Sequence, residues 1–170
     1  MEPDVSAEVD FDPVRLLTTL ANAGVDYVVI GSVAGRLFGS PAVTFDVDIC
    51  YARDETNLEA LAAALRGLGA KLRGVDTGVP LRLDAKTLRA GDSFAFTTTL
   101  GDLDILATPS GTAGYDDLVR TAERFEIEGV EVLAASVDDL IRMKRAAGRP
   151  KDRIHLELLG ALREEIDAGR

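Results

Sequence analysis

After Pro13, a residue preorganised for a first helical turn, the apolar positions Val14, Leu16, Leu17 and Leu20 recur at helical spacing until Gly24 ends the pattern. A first helix follows. Tyr27 to Ile30 is a β-rich run closed by Gly31, too short for a helix and of the length of a buried strand. Ser32 is then placed to cap a short helix from Val33 to Phe38, which Gly39-Ser40-Pro41 terminates. From Val43 to Tyr51 the period changes to two, with Phe45, Val47 and Ile49 facing one way and Thr44, Asp46 and Asp48 the other. This predicts a strand with an acidic face. Asp54 caps a helix from Asn57 to Leu68, whose stripe is Leu58, Leu61, Leu65 and Leu68. Between Ala70 and Gly91, Gly74, Gly78 and Pro80 break every period, so short strands or loop are expected. Ser93 to Leu100 and Leu103 to Ala107, joined through Gly101, read as a hairpin, and Asp102 beside Gly101 is assigned to its turn. Arg124 to Ile127 and Val130 to Leu133 form a second hairpin around Glu128-Gly129. Ser136, with Asp139 three residues later, starts an amphipathic helix through Ala147, and Pro150 opens a last helix to about Asp167.

Strands interleaved with helices predict an α/β fold: a small mixed β-sheet flanked by helices, with two C-terminal helices closing a cleft. The 170 residues are one domain's worth. Residues 1–12 carry Glu2, Asp4, Glu8, Asp10 and Asp12 with no basic residue and are read as a flexible acidic arm, leaving residues 13–170 as the domain. A formal charge of -10 excludes a globally basic nucleic-acid coat. With 46% hydrophobic and 28% charged residues, the composition excludes disordered and fibrous classes. Cys50 is the only cysteine, so neither an internal disulfide nor a cysteine zinc site is available, and a reducing cytoplasm is the expected compartment. No apolar run approaches the roughly 20 residues of a membrane helix, and no basic-then-apolar leader opens the chain. A soluble, unprocessed protein without membrane partners is expected.

Chemistry concentrates between Gly31 and Asp104. Asp46 and Asp48, two residues apart on a strand, point the same way, and their repulsion asks for a cation between them. Asp104, bracketed by Leu103 and Ile105, supplies a third carboxylate on a strand able to lie alongside. Three converging oxygen ligands suit Mg²⁺, and two such ions, about 3.5 to 4 Å apart, clamp an in-line phosphoryl displacement. Gly31 lets backbone N–H groups approach a phosphate, and Ser32 adds a hydroxyl. The set points to a nucleoside triphosphate (NTP) as substrate.

Gly31-Ser32, the spacing to Asp46-Val47-Asp48, and Leu103-Asp104-Ile105 resemble the signature of the nucleotidyltransferase superfamily, which includes DNA polymerase beta and the minimal nucleotidyltransferases. Val137 to Lys144, followed by Gly148-Arg149-Pro150-Lys151-Asp152-Arg153, is similar to the C-terminal helices of AbiEii-type nucleotidyltransferase toxins of type IV toxin-antitoxin systems. The resemblance implies transfer of a nucleoside monophosphate (NMP) from the NTP to a hydroxyl, with Asp104 able to accept the attacking hydroxyl's proton, and it implies that Lys144 reaches the triphosphate and that Asp152 supports the site. It also implies a tRNA end or a protein hydroxyl as acceptor, and a cognate antitoxin as partner. The chain departs from those relatives in one place: where they often carry an arginine two residues before the strand's threonine, Ala42 precedes Thr44 here, and Arg36 is the candidate replacement.

Charge is not spread evenly. Arg142, Lys144, Arg145, Arg149, Lys151 and Arg153 face only Asp152 within the same stretch. Such a patch suits RNA phosphates, and equally a helix junction solvated by arginines. His155, the sole histidine, is read as flanking the last helix near Leu158, Leu159 and Leu162. Two rivals to RNA modification stand: nucleotidylation of a small hydroxylated molecule such as an antibiotic, or a catalytically silent binding module on the same fold.

Overall fold

A computed structural model describes residues 9–75 and 82–169. Most of the expected acidic arm, residues 1–8, and the centre of the aperiodic stretch, residues 76–81, lie outside the described residues. One mixed sheet of seven strands, ordered β3-β4-β5-β2-β1-β7-β6, organises the chain. Its strands are β1 (Tyr27–Ile30), β2 (Asp46–Tyr51), β3 (Lys71–Leu72), β4 (Ser93–Thr98), β5 (Gly101–Leu106), β6 (Glu123–Ile127) and β7 (Val130–Ala134). The helices are α1 (Pro13–Asn22), α2 (Gly31–Leu37), α3 (Glu55–Gly67), α4 (Ala85–Ala90), α5 (Tyr115–Leu118), α6 (Val137–Ala147) and α7 (Arg153–Ala168).

Helix starts follow the capping chemistry. Asp12 accepts from the Arg15 N–H, Asp54 from Asn57, Asp84 from Thr87 and Ser136 from Asp139, each satisfying a backbone donor that has no intrahelical partner. Leu16, Leu17 and Leu20 of α1 and Leu58, Leu61 and Leu65 of α3 are all but fully buried. They share one core with Val47, Ile49, Leu103 and Ile105 of the central strands. Alternation along β2 therefore sends Val47 and Ile49 into the core and turns Asp46 and Asp48 to the opposite face.

Five expectations need correction. Ser32 caps nothing: α2 begins at Gly31, its cap position is Ile30, and no side chain closes that end. The second strand starts at Asp46, and Val43 and Phe45 are 68% and 79% exposed, because pairing with β1 ends at Asp48 and pairing with β5 ends at Asp46, so residues 42–45 lie beyond both partners. Asp102 is not a turn residue; β5 begins at Gly101, and Asp102 pairs with Thr97 on one side and Asp46 on the other. The aperiodic stretch holds a helix, α4, which Asp84 caps and Leu88 anchors in the core. Pro150 opens a single 3₁₀ turn to Asp152 before α7 begins.

Candidate functional site

Antiparallel pairing of β1 with β2 and parallel pairing of β2 with β5 place the acidic positions. Ile30, the last residue of β1, lies opposite Asp48, so the turn into α2 passes directly over that carboxylate. On the other side Asp46 is level with Asp102, and Asp48 with Asp104. Asp46, Asp48 and Asp104 each offer a carboxylate oxygen, and these atoms lie within 4.8 Å of one another. The chain changes direction at Gly31, whose φ is +68°, and a Cβ there would come within 2.3 Å of an Asp48 carboxylate oxygen. Only glycine satisfies both the backbone and that approach.

Burial and like charge oppose ionisation of Asp48 and Asp46. Burial, then the charges of Asp46 and Asp104, push the Asp48 carboxyl up to about 7. Asp46 is raised as well, by burial and then by Asp104, with Arg73 and Lys144 pulling the other way. Oδ1 of Asp104 is buried and makes no aligned hydrogen bond, although the Arg73 guanidinium lies 2.9 Å away. Three carboxylates on a shared face, their oxygens converging within 4.8 Å and one of those carboxylates lacking an aligned hydrogen bond at a buried oxygen, form a donor set that fits a hard divalent ion such as Mg²⁺.

From the other side, α6 brings Lys144 over the site. Its Nζ donates to Asp152 at 3.2 Å, and Arg149 Nε donates to the same carboxylate at 2.8 Å. Burial acts to raise the Asp152 carboxyl, but these two hydrogen bonds outweigh it and hold it below the ordinary carboxylate range. Asp152 is 2% exposed, the most buried ionised group in the described chain, and fixes where the lysine stands. Gly31, Asp48, Asp104 and Lys144 line one cavity of about 280 Å³, whose apolar walls include Phe94, Leu140 and Met143. Ser32 lies in an adjoining gap together with Lys144 and His155. The structure thus gathers Asp46, Asp48, Asp104, Gly31, Ser32, Lys144 and Asp152 around one end of β1 and β2. Arg36 donates to the Ala42 carbonyl at 2.9 Å, so its guanidinium does lie against the position where the resemblance expects an arginine.

No protein-family model matches the chain, and no curated protein matches its sequence. Solved structures do match. A Thermotoga maritima protein assigned as a nucleotidyltransferase is 17% identical with a TM-score of 0.55, over 91% of this chain and 92% of that one. The lincosamide antibiotic adenylyltransferase LnuA, bound to lincomycin, is 13% identical with a TM-score of 0.60, over 90% and 99%. The chain has the nucleotidyltransferase fold. A third likeness agrees, the antibiotic-resistance factor ANT(2'')-Ia, at 17% identity and a TM-score of 0.56 over 92% and 85% of the two chains. At these identities the likeness is one of fold.

Two residues of the nucleotidyltransferase-fold site escaped the sequence reading. Asp102 lies on the same face of β5 as Asp104. Arg73, just beyond β3, reaches both, at 3.3 Å from Asp102 and 2.9 Å from Asp104. The period of two across Asp102-Leu103-Asp104-Ile105 was the available signal for Asp102, since it repeats the pattern of Asp46 to Ile49. Arg73 sits among Gly74, Gly78 and Pro80, where no periodicity points to it.

Proposed function

We propose that the protein is a metal-dependent nucleotidyltransferase that moves NMP from an NTP to a hydroxyl acceptor and releases pyrophosphate. The observation that carries this reading is the convergence of Asp46, Asp48 and Asp104 beside the positive-φ glycine, in a fold shared with adenylyltransferases. In this reading Asp46, Asp48 and Asp104 hold Mg²⁺ as two ions, which when bound polarise the α-phosphate and offset charge on the leaving pyrophosphate. Backbone N–H groups at Gly31 and the Ser32 hydroxyl bind phosphate oxygens. Lys144 turns from Asp152 to meet the triphosphate, while Arg149, which donates to both Asp152 oxygens, keeps that carboxylate satisfied. Asp104 accepts the proton of the attacking hydroxyl.

For the acceptor we retain an RNA hydroxyl, a tRNA end, with the protein acting as the toxin of a toxin-antitoxin pair. Its support is the basic patch. Arg142 is engaged by Asp117 and Asp139 and Arg149 by Asp152, but Arg145, Lys151 and Arg153 are exposed and form no ion pair among the described residues. A second reading, transfer to a small hydroxylated molecule, is favoured by the 280 Å³ cavity beside the triad, which sets the apolar Phe94, Leu140 and Met143 next to charged groups, and by the antibiotic that LnuA binds. The test is incubation of the protein with Mg²⁺, each α-labelled NTP, and either total RNA or a panel of hydroxylated small molecules. Label entering RNA supports the toxin reading and label entering a small molecule the second; label in neither, with intact NTP, removes both.

A further inference from the structure

The paired register of β2 and β5 puts four carboxylates on one face, Asp46 level with Asp102 and Asp48 with Asp104. Among the described residues two cations stand by this block. Lys144 comes from α6 and is already bonded to the buried Asp152. Arg73 comes from the sheet edge, where its backbone N–H donates to the Ala95 carbonyl at 2.9 Å and its guanidinium crosses β4 to donate to the Phe96 carbonyl at 2.8 Å. That second bond anchors the guanidinium over the strand between β3 and β5. From there one nitrogen lies 2.9 Å from Asp104 and Nε 3.3 Å from Asp102.

These contacts differ from a permanent arginine–carboxylate fork, whose two N–H groups point along the lone pairs of one carboxylate. Here Arg73 Nε and Asp104 Oδ1 are both buried, and neither makes an aligned hydrogen bond. Charge holds the pair together without directional bonding, so a stronger cation arriving at the carboxylate has little hydrogen-bond geometry to displace. Asp102, outside the close triad, gives the guanidinium a second partner within reach.

We propose that Arg73 is the resident counter-cation of this carboxylate block: it holds Asp104 in the metal-free chain, yields it to a divalent ion, and stays beside the site on Asp102. The inference rests on reading the triad as a divalent-cation site, and it is independent of which acceptor is used. Arg73 is a positioning residue, acting through Asp104. Two consequences follow. Metal-free protein relies on Arg73 to offset the repulsion among these clustered carboxylates, and each ion bound has to compete with it.

The experiment is calorimetric titration of the full chain with Mn²⁺ alone, for wild type, Arg73→Gln, Arg73→Met and Arg73→Lys, with thermal unfolding in EDTA and in saturating Mn²⁺. Both neutral variants are expected to bind Mn²⁺ about tenfold more tightly, about 1.4 kcal/mol. They should melt lower than wild type in EDTA and level with it in Mn²⁺, while Arg73→Lys, which restores the charge, should return affinity to within about threefold of wild type. Unchanged or weaker Mn²⁺ affinity in the neutral variants overturns the proposal, as does a melting loss that persists in Mn²⁺, which is what a purely structural arginine would show. If the neutral variants do not fold, the wild type decides alone: the Arg73 guanidinium NMR signals should shift on Mg²⁺ saturation, and signals that stay in place overturn the exchange. Wild type that binds no Mn²⁺ overturns the metal reading and this proposal together, whereas Mn²⁺ binding without NMP transfer in a separate assay overturns only the transfer reading.

Discussion

Asp48→Asn should make the metal-free protein more stable. Burial, then Asp46 and Asp104, raise the Asp48 carboxyl from 3.8 to about 7, so the folded chain disfavours its charged form. The sign follows from proton counts. Below about pH 4 the carboxyl is protonated folded or unfolded and contributes nothing; between about 4 and about 7 the folded state binds more protons, and stability falls as pH rises; above about 7 the full cost stands. At 1.36 kcal/mol per pKa unit that cost is about 4 kcal/mol, and the amide's own desolvation reduces the gain from removing it to about 2 to 4 kcal/mol. For a chain of this size each kcal/mol moves Tm by about 2 to 4 °C, giving a rise of about 4 to 16 °C at pH 8. The assay is thermal unfolding of wild type and Asp48→Asn in EDTA from pH 4 to pH 8. The difference between them should be small at pH 4, grow through neutrality and level off. A variant less stable than wild type at pH 8, or a difference that ignores pH, would refute the electrostatic reasoning. Saturating Mg²⁺ should reverse the order, because the ion stabilises only the chain that can ligate it.

Three further outcomes follow from the same geometry. Ser32→Ala should weaken NTP use by less than about tenfold, the loss of one hydroxyl contact at about 0.5 to 1.5 kcal/mol, and steady-state kinetics giving a loss as deep as that of Asp48→Asn would assign the serine a larger task. Lys144→Ala should raise the KM for NTP and cost about 1 to 3 kcal/mol in stability, read by urea unfolding, since it strips one of two partners from the buried Asp152. Charge reversal at Arg145 and Lys151, both exposed, should raise the KM for RNA, make its salt dependence shallower and leave the KM for NTP unchanged; a double reversal that behaves like wild type across a salt series would move the acceptor to a small molecule.

The acidic strand was legible because a half-buried strand needs alternation, and Asp46 and Asp48 keep the phase that Val47 and Ile49 set. Gly31 was legible for a related reason: a glycine between a short β run and a helix marks a backbone that an ordinary residue resists, and its φ of +68° beneath Asp48 shows why. Lys144 and Asp152 were visible only through resemblance, since helical spacing alone does not tell a lysine that reaches a cleft from one that solvates a helix. Phe45 misled because alternation continues in sequence past the point where the neighbouring strand ends, and burial stops with the partner rather than with the pattern. Arg73 was hidden for the opposite reason. Its task depends on β3 pairing with β4, and β4 with β5, a chain of tertiary contacts that leaves no trace in the aperiodic residues around it.

In the proposed reaction the triad moves the α-phosphate of an NTP rather than its γ-phosphate. Parallel incubations with ATP labelled at the α or at the γ position, Mg²⁺ and the acceptor mixture, using wild type and Asp46→Asn, test it directly. Label should reach the acceptor from the α position only, with γ-label recovered in pyrophosphate, and Asp46→Asn should lose more than about a hundredfold of the rate. Acceptor labelled from the γ position, or α-label transfer that survives the loss of Asp46, would contradict it.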